Sequence, residues 1–283
     1  MRRPAIPEEK FGMPSKLTFA LNHMVAPGLK PAAFFALCRD LGLSDVEIRN
    51  DLSGNAIIDG TPAAAIKAQA AENGMSIATI NALQRFNEWN AAREAEAIEL
   101  ADYARDAGAA ALVLVPVNDG TGQADGERQR NLRTALTALT AILGDRGVRG
   151  LVEPLGFEIC SLRSKREAAE AIEDVDGTDT FRMVHDTFHH HLAGEPDIFP
   201  GMTGLVHISG VDDPAVTVSD MRDPHRVLVD AADRLDNVGQ IRALVSGGYQ
   251  GLLSFEPFSP VVQKLTEPRA ALAESIAFIR SRV

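Results

Sequence analysis

Four short apolar runs in the second half of the chain each end in a side chain able to hold a metal ion. They read Gly150-Leu151-Val152-Glu153-Pro154, Met183-Val184-His185-Asp186, Gly204-Leu205-Val206-His207 and Leu252-Leu253-Ser254-Phe255-Glu256-Pro257. Each has the composition of a buried strand and then breaks abruptly into a carboxylate or an imidazole. If neighbouring parallel strands carry these residues at their C-terminal ends, Glu153, Asp186, His207 and Glu256 converge on one point. Three hard oxygen donors and one neutral nitrogen suit a single divalent cation: Mn²⁺ first, with Mg²⁺, Co²⁺ or Zn²⁺ also accommodated. Pro154 and Pro257 restrict the preceding glutamates to extended conformations, so both carboxylates project rigidly. Strands that merely end in proline would explain the stops, but not why both prolines follow glutamate.

The run Asp186-Thr187-Phe188-His189-His190-His191 carries further chemistry. Three successive histidines cannot all face one site. His189, three residues after Asp186, comes round beside it if the chain turns into a helix or tight loop. There it serves as a second metal ligand or as a donor to substrate, while His190 and His191 suit the surface equally well. Glu158, five residues after Glu153, points either into the pocket, where it is a candidate substrate contact, or into solvent. Arg226, in the loop after the seventh strand, is placed to bind a substrate oxygen. Asn22, His23, Glu47, Arg49 and Asn81 lie at the ends of the first three strands, where a polyhydroxylated ligand could use them. Cys38 and Cys160 have no plausible base beside them, and no Gly-x-Ser-x-Gly or phosphate-cradling glycine loop occurs, so nucleophilic catalysis and nucleotide binding have no support.

The elements that must position these groups alternate strand and helix. Strands are expected over 17–23, 45–49, 76–81 and 109–117, and then ending at Glu153, Asp186, His207 and Glu256. Pro31 opens the first helix and Gly42 closes it. Further helices are expected from Thr61-Pro62 to Asn73-Gly74, from about Asn90 to Asp106 and from about Asp125 to Leu143. Ser164 with Glu167, and Asn237 with Gln240, read as capping boxes, and Thr266 caps the final helix. Eight such units predict an α/β fold, a single-domain (β/α)8 TIM barrel over 17–283 behind an N-terminal arm at 1–16. A doubly wound open sheet is disfavoured because no Gly-x-Gly-x-x-Gly follows the first strand. The 283 residues fit a barrel, which typically needs roughly 250.

The net charge of −11 and the absence of Lys/Arg clusters argue against nucleic acid or an anionic membrane surface as partner. Two cysteines make no disulfide framework, and no apolar signal region follows Arg2-Arg3. A soluble, cytoplasmic protein is expected. Fold analogy alone suggests a homodimer.

On these residues the chain resembles the xylose-isomerase-like TIM barrels, which include sugar isomerases, epimerases and an apurinic endonuclease branch. The resemblance runs from about Leu17 onward and is strongest over 151–157, 185–192, 205–209 and 251–258. It implies that Glu153, Asp186, His207 and Glu256 bind one divalent metal, and that His189, in the Asp-x-x-His element, contacts substrate. The segments His-Asp-Thr-Phe-His-His, Val-His-Ile-Ser-Gly and Ser-Phe-Glu-Pro-Phe look most like 2-keto-myo-inositol (inosose) isomerases. The implied reaction, belonging to inositol catabolism, moves a proton through an enediol, with Glu153 and Glu256 as the catalytic pair and a cyclic polyol or ketose as substrate. Ketose 3-epimerisation is the nearest alternative. Inosose dehydration and non-catalytic polyol binding are further ones. The endonuclease reading fares worst, because strands two and three end in Arg49 and Asn81 rather than histidine. Many relatives carry a Gly-x-Gly segment where this chain has Val229–Arg234, so the loop around Arg226 is expected to differ.

Overall fold

The computed structural model describes residues 17–52, 57 and 60–283. The expected arm at 1–16 lies outside the described residues. Eight strands, β1 (Thr18–Asn22), β2 (Asp45–Arg49), β3 (Ser76–Gln84), β4 (Ala111–Val115), β5 (Arg149–Val152), β6 (Phe181–Asp186), β7 (Thr203–Ile208) and β8 (Leu252–Phe255), close in sequence order into a barrel. Every neighbouring pair is parallel, including β8 back onto β1. The helices are α1 (Pro31–Asp40), α2 (Ala63–Glu72), α3 (Ala91–Ala107), α4 (Glu127–Gly144), α5 (Lys165–Asp174), α6 (Thr187–Ala193), α7 (Asn237–Ser246), the short α8 (Pro260–Gln263) and α9 (Pro268–Arg280).

Side chains alternate across a strand, and here that alternation sorts residues into two cores. Val46, Ile48, Val152, Met183, Val206, Leu253 and Phe255 face outward into the main core beneath the helices. Leu151, Val184 and Leu205 face inward and meet Ala82, Ala111 and Val113 in a small apolar layer that fills the barrel. Two residues further along, each of those three strands places Glu153, Asp186 or His207 on the same inward face. The residues expected to bind metal are therefore the next layer up, toward the C-terminal mouth.

Several boundaries differ from expectation. β1 stops at Asn22, whose side chain accepts from the Met24 amide and starts a 3-10 turn at His23–Val25. β3 runs on to Gln84, so Asn81 lies within a strand instead of at its end, and β4 is shorter than the apolar run that suggested it. Ser164 caps α5 by accepting from the Glu167 amide, but the reciprocal half of the box is missing. Glu167 turns to Arg128, while Glu195 takes the Ser164 hydroxyl and the amides of Lys165 and Arg166. The cap of α7 is Asp236, not Asn237, and Gln240 is committed elsewhere. α9 follows Glu267 with no side-chain cap, so Thr266 does not play that part. Among the described residues no helix is long and apolar enough to cross a membrane.

Candidate metal centre

Glu153, Asp186, His207 and Glu256 each offer a ligand atom, and these atoms lie within 4.8 Å of one another in a buried cluster. Strand register produces this. Asp186 pairs with His207 across β6 and β7, and the Glu256 amide donates to Ile208 O at 3.0 Å, extending the ladder by one residue. The Glu153 amide does the same to Leu114 O at 3.1 Å.

The two glutamates differ in their surroundings. Glu256 Oε1 accepts from Arg49 Nη1 at 2.8 Å and Asn22 Nδ2 at 3.1 Å, and Oε2 accepts from Arg226 Nη2 at 3.1 Å. Burial pushes its carboxyl up, but His207, Arg226 and Arg49 outweigh that and hold it well below the usual carboxylate range. Glu153 is hydrogen-bonded to neither arginine. Among the described residues its carboxylate bonds only to His207, Nδ1 to Oε1 at 2.9 Å, and burial dominates to raise its pKa.

Asp186 works at two jobs. Its Oδ1 accepts from the amides of Phe188 (2.7 Å) and His189 (3.1 Å), capping α6, while Oδ2 accepts from Arg226 at 2.7 Å. That cap is what brings His189 round, as the spacing predicts. Its ring packs edge-on to Phe157 and Phe188, and its Nδ1 is buried with no hydrogen-bond partner among the described residues. Gly156 lets the β5 loop lie against α6, since a Cβ there would come within 2.6 Å of Leu192 Cβ.

Arg226 is 1 % exposed and lies between the rings of Phe258 (4.6 Å) and Phe188 (5.0 Å). Besides the Asp186 and Glu256 carboxylates it reaches Ser209 Oγ at 3.0 Å. Its loop is pinned by a bridge between Gly210 and Val227 and by the cluster of Phe188, Val211, Met221 and Leu235.

Four buried carboxylates (Glu47, Glu153, Asp186, Glu256) thus face two buried guanidiniums, Arg49 and Arg226. With a neutral His207 two negative charges remain, which one divalent cation would balance. Hard oxygens, one imidazole and this charge deficit fit such a cation. Without a cation the imidazole takes the charge. Burial opposes its protonation, but Glu256, Glu47 and Glu153 raise the His207 pKa well above its ordinary value.

Other expected site residues fall differently. Glu158 is exposed, on the rim of an adjoining cleft of about 540 Å³ lined also by Phe157, Ile159, Arg222 and Asp223, and is not part of the ligand cluster. His225 serves its own turn, its Nδ1 accepting from the Arg222 amide. Glu47, grouped in the sequence with residues at the strand ends, is instead fully buried beside His207.

His190 turns away from the ligands to Lys165, with Nζ 2.6 Å from Nδ1. Lys165 is 3 % exposed. Burial, only partly offset by Glu195 and Asp186, brings its ammonium down to about 7. Because the folded pKa lies below the unfolded value, the group costs stability below pH 10.5, and the cost grows as pH falls toward 7. Lys165→Met is expected to stabilise the protein by about 2–4 kcal/mol at pH 7, with the gain fading toward pH 10. Equal denaturant midpoints for variant and wild type at pH 7 would refute this.

The model of the xylose isomerase-like TIM barrel family matches residues 35–282. A xylose isomerase domain containing protein from Salmonella typhimurium LT2 superposes with a TM-score of 0.86 at 34 % identity, covering 95 % of this chain and 98 % of that one. The IolI protein with a bound zinc atom gives 0.84 at 20 % identity, over 94 % and 99 % of the two chains. D-allulose 3-epimerase from Methylomonas sp., in complex with D-allulose, gives 0.71 at 18 %, over 95 % and 98 %. No curated protein matches the chain. The family match spans nearly the whole barrel and the Salmonella protein shares a third of its residues, so the chain belongs to the xylose isomerase-like TIM barrel family.

Proposed function

We propose that the protein is a divalent-metal-dependent isomerase of a cyclic keto-polyol, with 2-keto-myo-inositol as its substrate and an enediol as the intermediate. The observation that carries this reading is the cluster itself: four ligand atoms within 4.8 Å, on four successive strands, with two glutamates in unlike environments. The metal, Mn²⁺ by preference, would be held by Glu153, Asp186, His207 and Glu256, and when bound supplies a Lewis acid for the carbonyl and neighbouring hydroxyl oxygens.

Glu153 takes the proton from the carbon that bears the hydroxyl, because its carboxylate is not clamped by hydrogen bonds from Arg49, Asn22 and Arg226 as that of Glu256 is. The electrons of that C–H bond form the C=C of the enediol as the carbonyl oxygen gains a proton. Protonation of the former carbonyl carbon and loss of the proton from the other oxygen complete the exchange. His189, with its partnerless buried Nδ1, is suited to pass the proton between the oxygens. Arg226, fixed beside Asp186 and Glu256, places positive charge where an oxygen turns negative. Glu158, on the rim, would meet only the outer part of a ligand.

Ketose 3-epimerisation is the second reading. It uses the same proton abstraction but returns the proton to the same carbon on its other face, and the fold is shared with an L-ribulose 3-epimerase as well as the D-allulose enzyme. Incubating the Mn²⁺-loaded protein with 2-keto-myo-inositol in D₂O, followed by NMR, separates the two. An isomeric inosose with deuterium next to the carbonyl is the expected result. An unchanged inosose, with deuterium entering a ketose from a sugar panel, would move the assignment to epimerisation.

A further inference from the structure

Glu47 is 0 % exposed and stands on β2 at the centre of the barrel. Alternation puts Val46 and Ile48 into the outer core and turns Glu47 inward. A buried carboxylate needs every lone pair engaged, and here Oε2 accepts from Thr79 Oγ1 at 2.6 Å and Asn81 Nδ2 at 2.8 Å. Oε1 takes the Ser254 hydroxyl. Among the described residues the only cationic or ionisable hydrogen-bond partner of this carboxylate is His207, whose Nε2 lies 3.2 Å from Oε2. The opposite ring nitrogen, Nδ1, faces the ligand cluster, 2.9 Å from Glu153 and 3.2 Å from Glu256.

We infer that Glu47 is a positioning residue for the metal centre: it fixes the proton of His207 on Nε2 and so leaves the Nδ1 lone pair to the metal. The inference rests on the metal reading of the site but not on any substrate. An ionised carboxylate can only accept, so the nitrogen facing it must carry hydrogen. The same contact makes the imidazole a stronger donor to the cation and locks its ring plane. Thr79, Asn81 and Ser254 hold the carboxylate in turn, which is why a charge so deep in the barrel keeps one orientation. A merely structural Glu47, satisfied by those three donors, would leave metal affinity and His207 chemistry unchanged on conservative replacement.

Two measurements on the full chain decide between these. In ¹⁵N-histidine-labelled, Zn²⁺-loaded wild type, long-range ¹H–¹⁵N NMR is expected to show His207 metal-bound through Nδ1 and protonated at Nε2; metal bound through Nε2 would overturn the inference. Zn²⁺ affinity by chelator competition is expected to fall about 10–100-fold in Glu47→Gln, with a changed Co²⁺ absorption spectrum and an unchanged circular dichroism spectrum. A folded Glu47→Gln with affinity within twofold of wild type would also overturn it. If that variant does not fold, the wild-type tautomer alone decides. Wild type that binds no Zn²⁺ would remove the metal reading itself, a failure distinct from an unaltered Glu47→Gln.

Discussion

Glu153→Gln is expected to lower kcat by about 10³-fold or more and to abolish deuterium uptake from D₂O, with the barrel intact. Glutamine keeps the shape of the side chain and one oxygen for the metal, but cannot accept the carbon-bound proton. Glu256→Gln should also be inactive, for a different reason. That carboxylate is clamped by Arg49, Arg226 and Asn22, so neutralising it leaves two buried guanidiniums short of a counter-charge and should lower the unfolding midpoint as well. The pair of variants therefore separates base from anchor. Thermal unfolding of both, with turnover at saturating Mn²⁺, checks the distinction. Near-normal turnover in both would end the assignment of either glutamate to proton transfer.

The convergence of Glu153, Asp186, His207 and Glu256 was legible because its signal is local. Leu151-Val152-Glu153 or Leu205-Val206-His207 shows a buried strand breaking into a donor, and eight such units close only one way. Glu47 was not legible as a centre of the site. Asp45-Val46-Glu47-Ile48-Arg49 alternates like a strand with one wet face, and only barrel closure puts that face in the interior. Arg226 was legible as a candidate contact for a substrate oxygen but not as a partner of Asp186 and Glu256, which lie 40 and 30 residues away. Glu158 could not be placed between pocket and solvent from its spacing to Glu153; the intervening turn sets it, exposed, on the rim of the cleft lined by Phe157 and Arg222. The caps failed where backbone geometry, not residue type, decides. Asp236 caps α7 from a left-handed conformation, φ +57°, so the neighbouring Asn237 looked the better candidate.

Withdrawing the metal should stop turnover completely, and the metal-free protein should show a pH dependence opposite in sign to that of its metal affinity. In the stripped cluster the raised pKa of His207 means that the imidazolium bridges Glu47, Glu153 and Glu256. Because the folded pKa lies above the unfolded value, this contribution to stability is fully present below about pH 6.5 and is lost as pH rises through the folded pKa. A cation competes with that same proton. Its apparent affinity should therefore rise roughly tenfold per pH unit while His207 remains protonated, and binding should release about one proton. Calorimetry in two buffers of different ionisation enthalpy counts that proton. At a concentration about a thousand times its Kd, the cation should add about 4 kcal/mol of stability, enough to raise the unfolding midpoint by roughly 8–16 °C. Metal affinity that stays level between pH 6 and 8, with no proton released, would show that the imidazole of His207 is not where the cation binds.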